Sequence, residues 1–445
     1  MELKIEKMSS DGSGIARTEE GVVFVPGALP EETVEAEVVV RKKDFAVARL
    51  VALKEAHPRR IAPACPVFES CGSCQLQHAE YGLQTELKAG LVRDALARIG
   101  GFDLREEGFS GLECAPSPQI WGYRNKASFP VRKIRGKPVA GFYQAGSHRL
   151  VQLESCPVNA APLNRHFGVL QRELPKLGMD AWSDREMKGT LRHIVLRAGL
   201  HTGETLFSLV VGSRLDTAKM KKIASLSGIL KNVTTLTLNH NLRPGNVILG
   251  ERTEVLRGDG LISERLDGWT LRYDTESFFQ VNTDQSIRLY RHVQGLAAGK
   301  TLELYSGVGS MTCYLSEVGF VTAVEEWRGA VGLMKKNLED NGIGNVRALC
   351  GRAEDVMTDL TGEYDSVVLD PPRSGCERRV LDKTGEFAPE RIVYVSCNPS
   401  TLARDLKILT DGEKKTKYTV KSIRAFDMFP QTVHVETVVL LERRR

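Results

Sequence analysis

The sequence has no long apolar run. In its 445 residues no window approaches the ~18 uninterrupted apolar residues of a membrane span, which predicts a chain that neither crosses nor anchors in a bilayer. The opening Met1-Glu2-Leu3-Lys4-Ile5-Glu6-Lys7 lacks an apolar core of secretory length, so no signal peptide is expected. Internal repeats and low-complexity tracts are also absent. With 42% hydrophobic and 26% charged residues the composition is that of a globular protein, which excludes disorder, collagen and a coiled-coil rod for the bulk of the chain. Cysteine is the residue whose number is informative. There are nine, at 65, 71, 74, 114, 156, 313, 350, 376 and 397. An odd count in a long chain argues against a disulfide framework and for a reducing, cytoplasmic setting, where clustered cysteines bind metal or do chemistry. No segment calls for an obligate protein partner.

The net charge is only +5, but it is unevenly spread. Between Trp121 and Leu200 there are 14 Lys/Arg against 5 Asp/Glu, while the remainder is slightly acidic. Arg124, Lys126, Arg132, Lys133, Arg135, Lys137 and Arg149 are interleaved with Trp121, Tyr123, Phe129, Phe142 and Tyr143. Basic groups neutralise phosphates and aromatics stack on unpaired bases, a pairing suited to RNA. The alternative is a solvated basic face over ordinary core aromatics.

Three regions follow from the patterning. Residues 1–57 read as four or five short strands: Leu3–Met8, Gly21–Val25, Thr33–Arg41 and Phe45–Leu53, with turns at 11–14 and 26–27. That fits a small barrel of the oligonucleotide-binding (OB) type. After a Pro-rich linker, residues 62–265 read as a central α+β domain with one amphipathic helix near 78–99. From residue 268 to 445, β and α patterns alternate as in a doubly wound, Rossmann-like α/β sheet. Ligands of such sheets bind beyond the carboxyl ends of the strands.

Four constellations fall at those strand ends. The turn Gly307-x-Gly309 after strand 301–305 offers backbone N–H groups, and Glu325 ends the next strand, placed to accept bonds from ribose hydroxyls. Thr312 stands where a dinucleotide fold wants a third glycine, so S-adenosylmethionine suits the loop better than NAD. Asp370-Pro371-Pro372-Arg373 follows strand 366–370; its prolines stiffen a loop that aims Asp370 at cofactor or base and Arg373 at substrate. Cys397, in Ser396-Cys397-Asn398-Pro399 before helix 401–409, is a candidate nucleophile whose thiol a helix N-terminus would acidify. Glu436 lies among β-branched residues, where burial would raise its pKa and suit it to proton abstraction. Each has a bland reading: a turn, a buried thiol, an edge glutamate.

A fifth group is Cys65-x5-Cys71-Gly72-Ser73-Cys74, with Cys156-Pro157 as the best fourth ligand. Four thiolates hold zinc or an iron–sulfur cluster, and a single Cys-x2-Cys pair favours [4Fe–4S] over zinc.

Taken together the chain resembles the RNA uracil-5-methyltransferases, in particular the iron–sulfur branch that modifies 23S ribosomal RNA. The resemblance covers nearly the full length and rests on the Asp-Pro-Pro-Arg, Ser-Cys-Asn-Pro and Met428-Phe429-Pro430-x-Thr432-x-His434-Val435-Glu436 motifs. It implies that the barrel is a TRAM domain and that Cys65, Cys71, Cys74 and Cys156 ligate the cluster. Phe278-Phe279-Gln280-Val281-Asn282 is similar to the family's Phe-x-Gln-Val-Asn segment, which implies cofactor contact by Gln280. Further cofactor contacts fall on Tyr305, Glu325 and Asp370, the nucleophile on Cys397 and the base on Glu436. Arg373, Arg132 and Phe279 are assigned to the RNA. Ser306 and Ser310 depart from residues common in the family.

The residue types suit that reaction. A thiolate adding at uracil C6 makes C5 nucleophilic toward a methyl sulfonium, and a base then removes the C5 proton. Cytosine-5 enzymes of similar scheme use a second cysteine for release, which the 371–373 loop lacks, favouring uracil. The target base must be flipped out. A radical enzyme would want Cys-x3-Cys-x2-Cys, which is missing, and a non-catalytic assembly factor would not need Cys397 and Glu436. Transfer RNA remains the alternative substrate.

Overall fold

The computed structural model describes residues 1–230, 232–410 and 418–444. Its N-terminal unit is a six-stranded sheet in the order Glu2–Lys4, Thr33–Arg41, Phe45–Glu55, Gly21–Pro26, Ser13–Thr18, Lys7–Met8. The run expected as a single strand over 3–8 is broken at Ile5-Glu6. Its first half pairs with 33–35 and its second with 14–15, so the two edges of the sheet are one stretch of chain and the sheet closes. Alternating inward residues, among them Leu3, Ile5, Val23, Val25, Val34, Ala36, Ala46 and Ala48, fill the interior.

The central sheet runs Arg252–Arg257, Thr235–His240, Thr205–Val211, Leu191–Ala198, Lys126–Ile134, Lys137–Ala140. Helices Ala161–Glu173 and Thr217–Ile229 pack apolar residues such as Phe167, Leu170, Ile223 and Leu226 against it.

The C-terminal sheet has eight strands in the order Val346–Cys350, Val321–Glu325, Thr301–Leu304, Ser366–Leu369, Arg391–Ser396, Glu436–Arg443, Tyr418–Phe426, Cys114–Ala115. The first five are mutually parallel; Glu436–Arg443 then joins antiparallel to Arg391–Ser396. The strands are near-continuous apolar runs because helices cover both faces.

Two boundaries differ from the sequence reading. The stretch 81–115 belongs with the C-terminal core rather than the central domain. Helix Tyr81–Ala95 sends Ala89, Val92 and Ala95 into it, and Cys114–Ala115 becomes the sheet's last strand. The hairpin Ile262–Leu266 with Trp269–Tyr273 straddles the 265/268 divide, and its Ile262, Leu266, Leu271 and Tyr273 pack into the same domain. Both segments are apolar on the side that meets the α/β sheet, and burial decides membership over order in the chain. No helix among the described residues is long and apolar enough to cross a membrane.

Candidate active site

A cleft of about 640 Å³ opens over the carboxyl ends of the parallel strands. Eight of the residues singled out by sequence line it: Gln280, Tyr305, Gly307, Glu325, Asp370, Arg373, Cys397 and Glu436.

The first wall is the turn after Thr301–Leu304. Tyr305, Gly307 and Gly309 have φ of 66°, 57° and 88°, so the chain winds left-handed three times in five residues. A side chain at Gly309 would meet the Met334 Cγ at 2.8 Å, which makes glycine necessary there on two counts. The Gly307 N–H donates to Glu325 Oε2 (3.0 Å) and the Trp327 N–H to Oε1 (2.8 Å), so the carboxylate at the strand end is fixed in the mouth of the cleft. Gly309 itself caps helix Ser310–Ser316 and does not line the cleft.

The second wall is Asp370 to Arg373. Burial pushes the Asp370 carboxyl up to about 7. The Arg373 carbonyl accepts from Asn398 Nδ2 (3.0 Å) and Thr401 Oγ1 (3.3 Å), which ties this loop to the turn carrying Cys397. Asn398 caps the following helix, its Oδ1 accepting from Ser400 N at 3.1 Å. Cys397 does not have the acidified thiol expected of a helix start. Burial pushes it up to about 12, the Glu436 and Asp370 carboxylates push the same way, and Arg373 opposes them. Burial comes first, and the two carboxylates brought by other strands add to it.

The third wall is the loop before Glu436–Arg443. Glu436 is buried and its carboxyl is held well above the usual range by desolvation and by Asp370, again against Arg373. Phe429 and His434, in the same loop, meet edge to face at 5.9 Å and line the cleft. Burial, Arg373, Lys88 and Arg124 lower His434 to about 4, so its ring is neutral near pH 7 and free to read a hydrogen-bonding edge.

Two substrate assignments need correction. Phe279 is buried and stacked on Tyr273 (4.2 Å, 10°) in the domain core; Phe278, two-thirds exposed, is the aromatic that reaches the cleft. Of two adjacent aromatics only one can face inward, and the core took the second. Arg132 lies on the central sheet outside the cleft, bonded to Tyr143 and paired with Asp184 at 3.1 Å, so its charge is already partnered. Sequence reasoning gave no role to Phe278, Phe429 or His434, although each stands inside a quoted motif. It also passed over Glu303, buried in strand Thr301–Leu304 ahead of the Gly307–Gly309 turn, which accepts from Thr312 Oγ1 at 2.6 Å.

The four cysteines of the fifth group come from two segments to one place. Cys65 and Cys156 are buried and Cys71 and Cys74 half-buried. Cys74 is pushed up to about 12, first by burial and then by the thiols of Cys156 and Cys71; Cys156 also feels Cys65 and Cys71. The Gly72 N–H donates to the Tyr143 carbonyl (2.9 Å), and the Cys156 N–H to Asn164 Oδ1 (2.9 Å). Among the described residues no three His, Cys, Asp or Glu side chains are arranged to hold one metal ion between them.

Comparison with known proteins agrees with this architecture. Residues 123–444 match the family described as tRNA (Uracil-5-)-methyltransferase, and residues 1–51 match the TRAM domain. An uncharacterized RNA methyltransferase of Gloeobacter violaceus is 38% identical over 99% of this chain and 95% of its own. Another from Halalkalibacterium halodurans is 35% identical over 99% and 96%. The crystal structure of Pyrococcus abyssi tRNA (uracil-54, C5)-methyltransferase in complex with S-adenosyl-L-homocysteine superposes with a TM-score of 0.77 at 28% identity, covering 99% of this chain and 100% of that one. The chain thus belongs to the RNA uracil-5-methyltransferase family, enzymes that use S-adenosylmethionine, and carries a TRAM domain at its N-terminus.

Proposed function

We propose that the protein methylates C5 of a flipped-out uridine, with Cys397 as nucleophile and Glu436 as general base. The observation that carries this is that one cleft is lined by Cys397, Glu436 and Asp370 although they come from three separate strand ends. Bound S-adenosylmethionine supplies an electrophilic methyl group on a sulfonium. Gly307, Glu325, Gln280 and Tyr305 form the end of the cleft suited to hold it, and the Asp370 and Glu436 carboxylates suit a cationic ligand. Cys397 adds as thiolate to C6 of the uracil, which places electron density on C5. After C5 has taken the methyl group, Glu436 removes the C5 proton and the C6–S bond breaks, freeing Cys397. Phe278 and Phe429 offer faces for stacking, Arg373 a phosphate or carbonyl contact, and neutral His434 an edge contact to the base. Thiolate and carboxylate are both needed deprotonated, and both groups are held high.

We assign a [4Fe–4S] cluster to Cys65, Cys71, Cys74 and Cys156. It supplies no electron to this reaction, and its thiolates tie the central domain to the segment before helix Tyr81–Ala95. Iron and sulfide analysis of anaerobically purified protein, with stoichiometric iron lost in Cys74→Ser, tests this.

The target we assign is a uridine of 23S ribosomal RNA. Transfer RNA is the second reading, favoured by the full-length likeness to a Pyrococcus tRNA (uracil-54, C5)-methyltransferase. Mapping 5-methyluridine in both RNAs from cells lacking this protein, with and without the gene restored, decides. A site lost from 23S rRNA supports the first reading, a site lost from tRNA the second, and no lost site removes the activity. Restoration by Cys397→Ala would remove the nucleophile assignment.

A further inference from the structure

We propose that Lys88 is a positioning residue for the catalytic loop 427–436, acting through a buried ion pair with Asp427. The proposal rests on the reading of Glu436 as base.

Lys88 lies in the connector, residues 52–122, that falls between the TRAM and methyltransferase family matches. Helix Tyr81–Ala95 turns Gln84 and Lys88 to the same side, one turn apart, and both are buried. Lys88 Nζ donates to Asp427 Oδ1 at 2.5 Å and to the Phe429 carbonyl at 3.0 Å, with neither Lys88 nor Asp427 exposed at all. Asp427 Oδ1 in turn accepts from the Phe429 N–H (3.1 Å). One turn earlier, Gln84 Oε1 accepts from the Gln431 N–H (2.9 Å) and Gln84 Nε2 donates to Gln431 Oε1 (3.0 Å). The Gln431 carbonyl accepts from the N–H groups of Gln75 and Leu76, both at 3.0 Å. Gln431 has φ of 72°, an unfavourable conformation for a side-chain-bearing residue, so this anchorage holds a backbone that would otherwise relax.

A fully buried ion pair is a poor source of stability, because apolar residues of similar volume often serve as well or better. What it supplies is direction. Here it fixes the start of a ten-residue loop whose far end is Glu436 and whose middle carries Phe429 and His434. The Cys397 turn is held separately, by Asn398 and Thr401 on the Arg373 carbonyl. Loss of the pair therefore loosens the loop beside Glu436, whose backbone stays paired with Phe426 in the sheet, and leaves the nucleophile turn in place, which predicts a defect in one step: addition and methylation proceed and proton removal stalls.

The test compares wild type, Lys88→Met, Lys88→Arg, the double variant Lys88→Met/Asp427→Asn and Glu436→Gln on unmodified RNA with S-adenosylmethionine. The double variant leaves no unpaired buried charge and guards against misfolding. Three readouts are taken: turnover, denaturant-resistant enzyme–RNA adduct, and cofactor affinity by calorimetry. We expect Lys88→Met and the double variant to lose about 100-fold in turnover, to accumulate adduct as Glu436→Gln does, and to bind cofactor as wild type does. Lys88→Arg recovers part of the rate. Wild-type turnover in the double variant overturns the proposal, as does parallel loss of adduct and cofactor binding in both variants. Should Glu436→Gln trap no adduct, the base reading fails instead. The proposal is then judged on turnover at unchanged cofactor affinity, with the Lys88→Arg recovery required.

Discussion

The two sides of the cleft are built differently. On the nucleophile side, Asp370, Arg373 and Cys397 sit at the ends of adjacent parallel strands, Ser366–Leu369 and Arg391–Ser396, whose loops are joined where Asn398 and Thr401 donate to the Arg373 carbonyl. Their geometry comes with the sheet. On the base side, the loop ahead of Glu436 is held from earlier in the chain: by Gln75 and Leu76, by Gln84 and Lys88 of the helix that joins the C-terminal core, and by Tyr123, whose hydroxyl donates to the Pro430 carbonyl at 3.0 Å. Tyr123 packs beside Cys74 and Cys156. One side is intrinsic to the methyltransferase fold, whereas the other depends on the connector and the cysteine-bearing segment. Chemistry shared between them is therefore open to separate disruption.

The largest expected effect is on the intrinsic side. Cys397→Ala removes the nucleophile and should lower methyl transfer by on the order of 10⁴-fold or more, with cofactor affinity by calorimetry unchanged. A pH profile sharpens the comparison, since it reads both sides at once. Burial raises the Asp370 carboxyl to about 7 and, with Asp370, raises Glu436 and Cys397. The working forms of Glu436 and Cys397 are deprotonated and both groups are raised, so the single-turnover rate should rise with pH from neutral into the alkaline range. Asp370→Asn deletes a negative neighbour of both groups. The remaining rate should be smaller and its acid limb displaced toward lower pH. An unmoved limb would break the electrostatic link between the sides.

Tyr123→Phe acts on the dependent side alone. It deletes one buried hydrogen bond to the catalytic loop, about 1 kcal/mol or several-fold in turnover, while adduct formation should keep its wild-type rate in rapid-quench measurement. Glu303 gives the smallest effect, in stability. Its carboxyl is raised from 4.5 to about 8 by burial, against the Thr312 bond. A raised acid keeps its proton in the folded state and loses it on unfolding, so the protein should lose stability as pH climbs from 4.5 to about 8. Glu303→Gln should flatten that slope in thermal melts taken across the window.

What could be read from sequence divides along the same line. Cys397, Asp370 and Glu325 announce themselves because a strand, a turn and the functional residue are contiguous, and strand Thr33–Arg41 falls where patterning placed it. Lys88 and Asp427 are 339 residues apart, and no local pattern joins them. The helix carrying Lys88 even misleads, because its buried face includes Gln84 and Lys88 and so looks less apolar than a core helix should. The thiol of Cys397 was expected low from its neighbours in sequence and is high from its neighbours in space. Phe278 and Phe279 show the finest limit: the two are adjacent and alike in type, and packing against Tyr273 makes Phe279 the core residue.

The central claim is that Cys397 attacks and Glu436 completes the reaction from the opposite side. Glu436→Gln, incubated with S-adenosylmethionine and unmodified RNA and run on a denaturing gel, measures this directly. The account predicts a covalent enzyme–RNA band that carries the transferred methyl group and is absent from Cys397→Ala/Glu436→Gln. Normal turnover by Glu436→Gln, or a band that persists without Cys397, would contradict it.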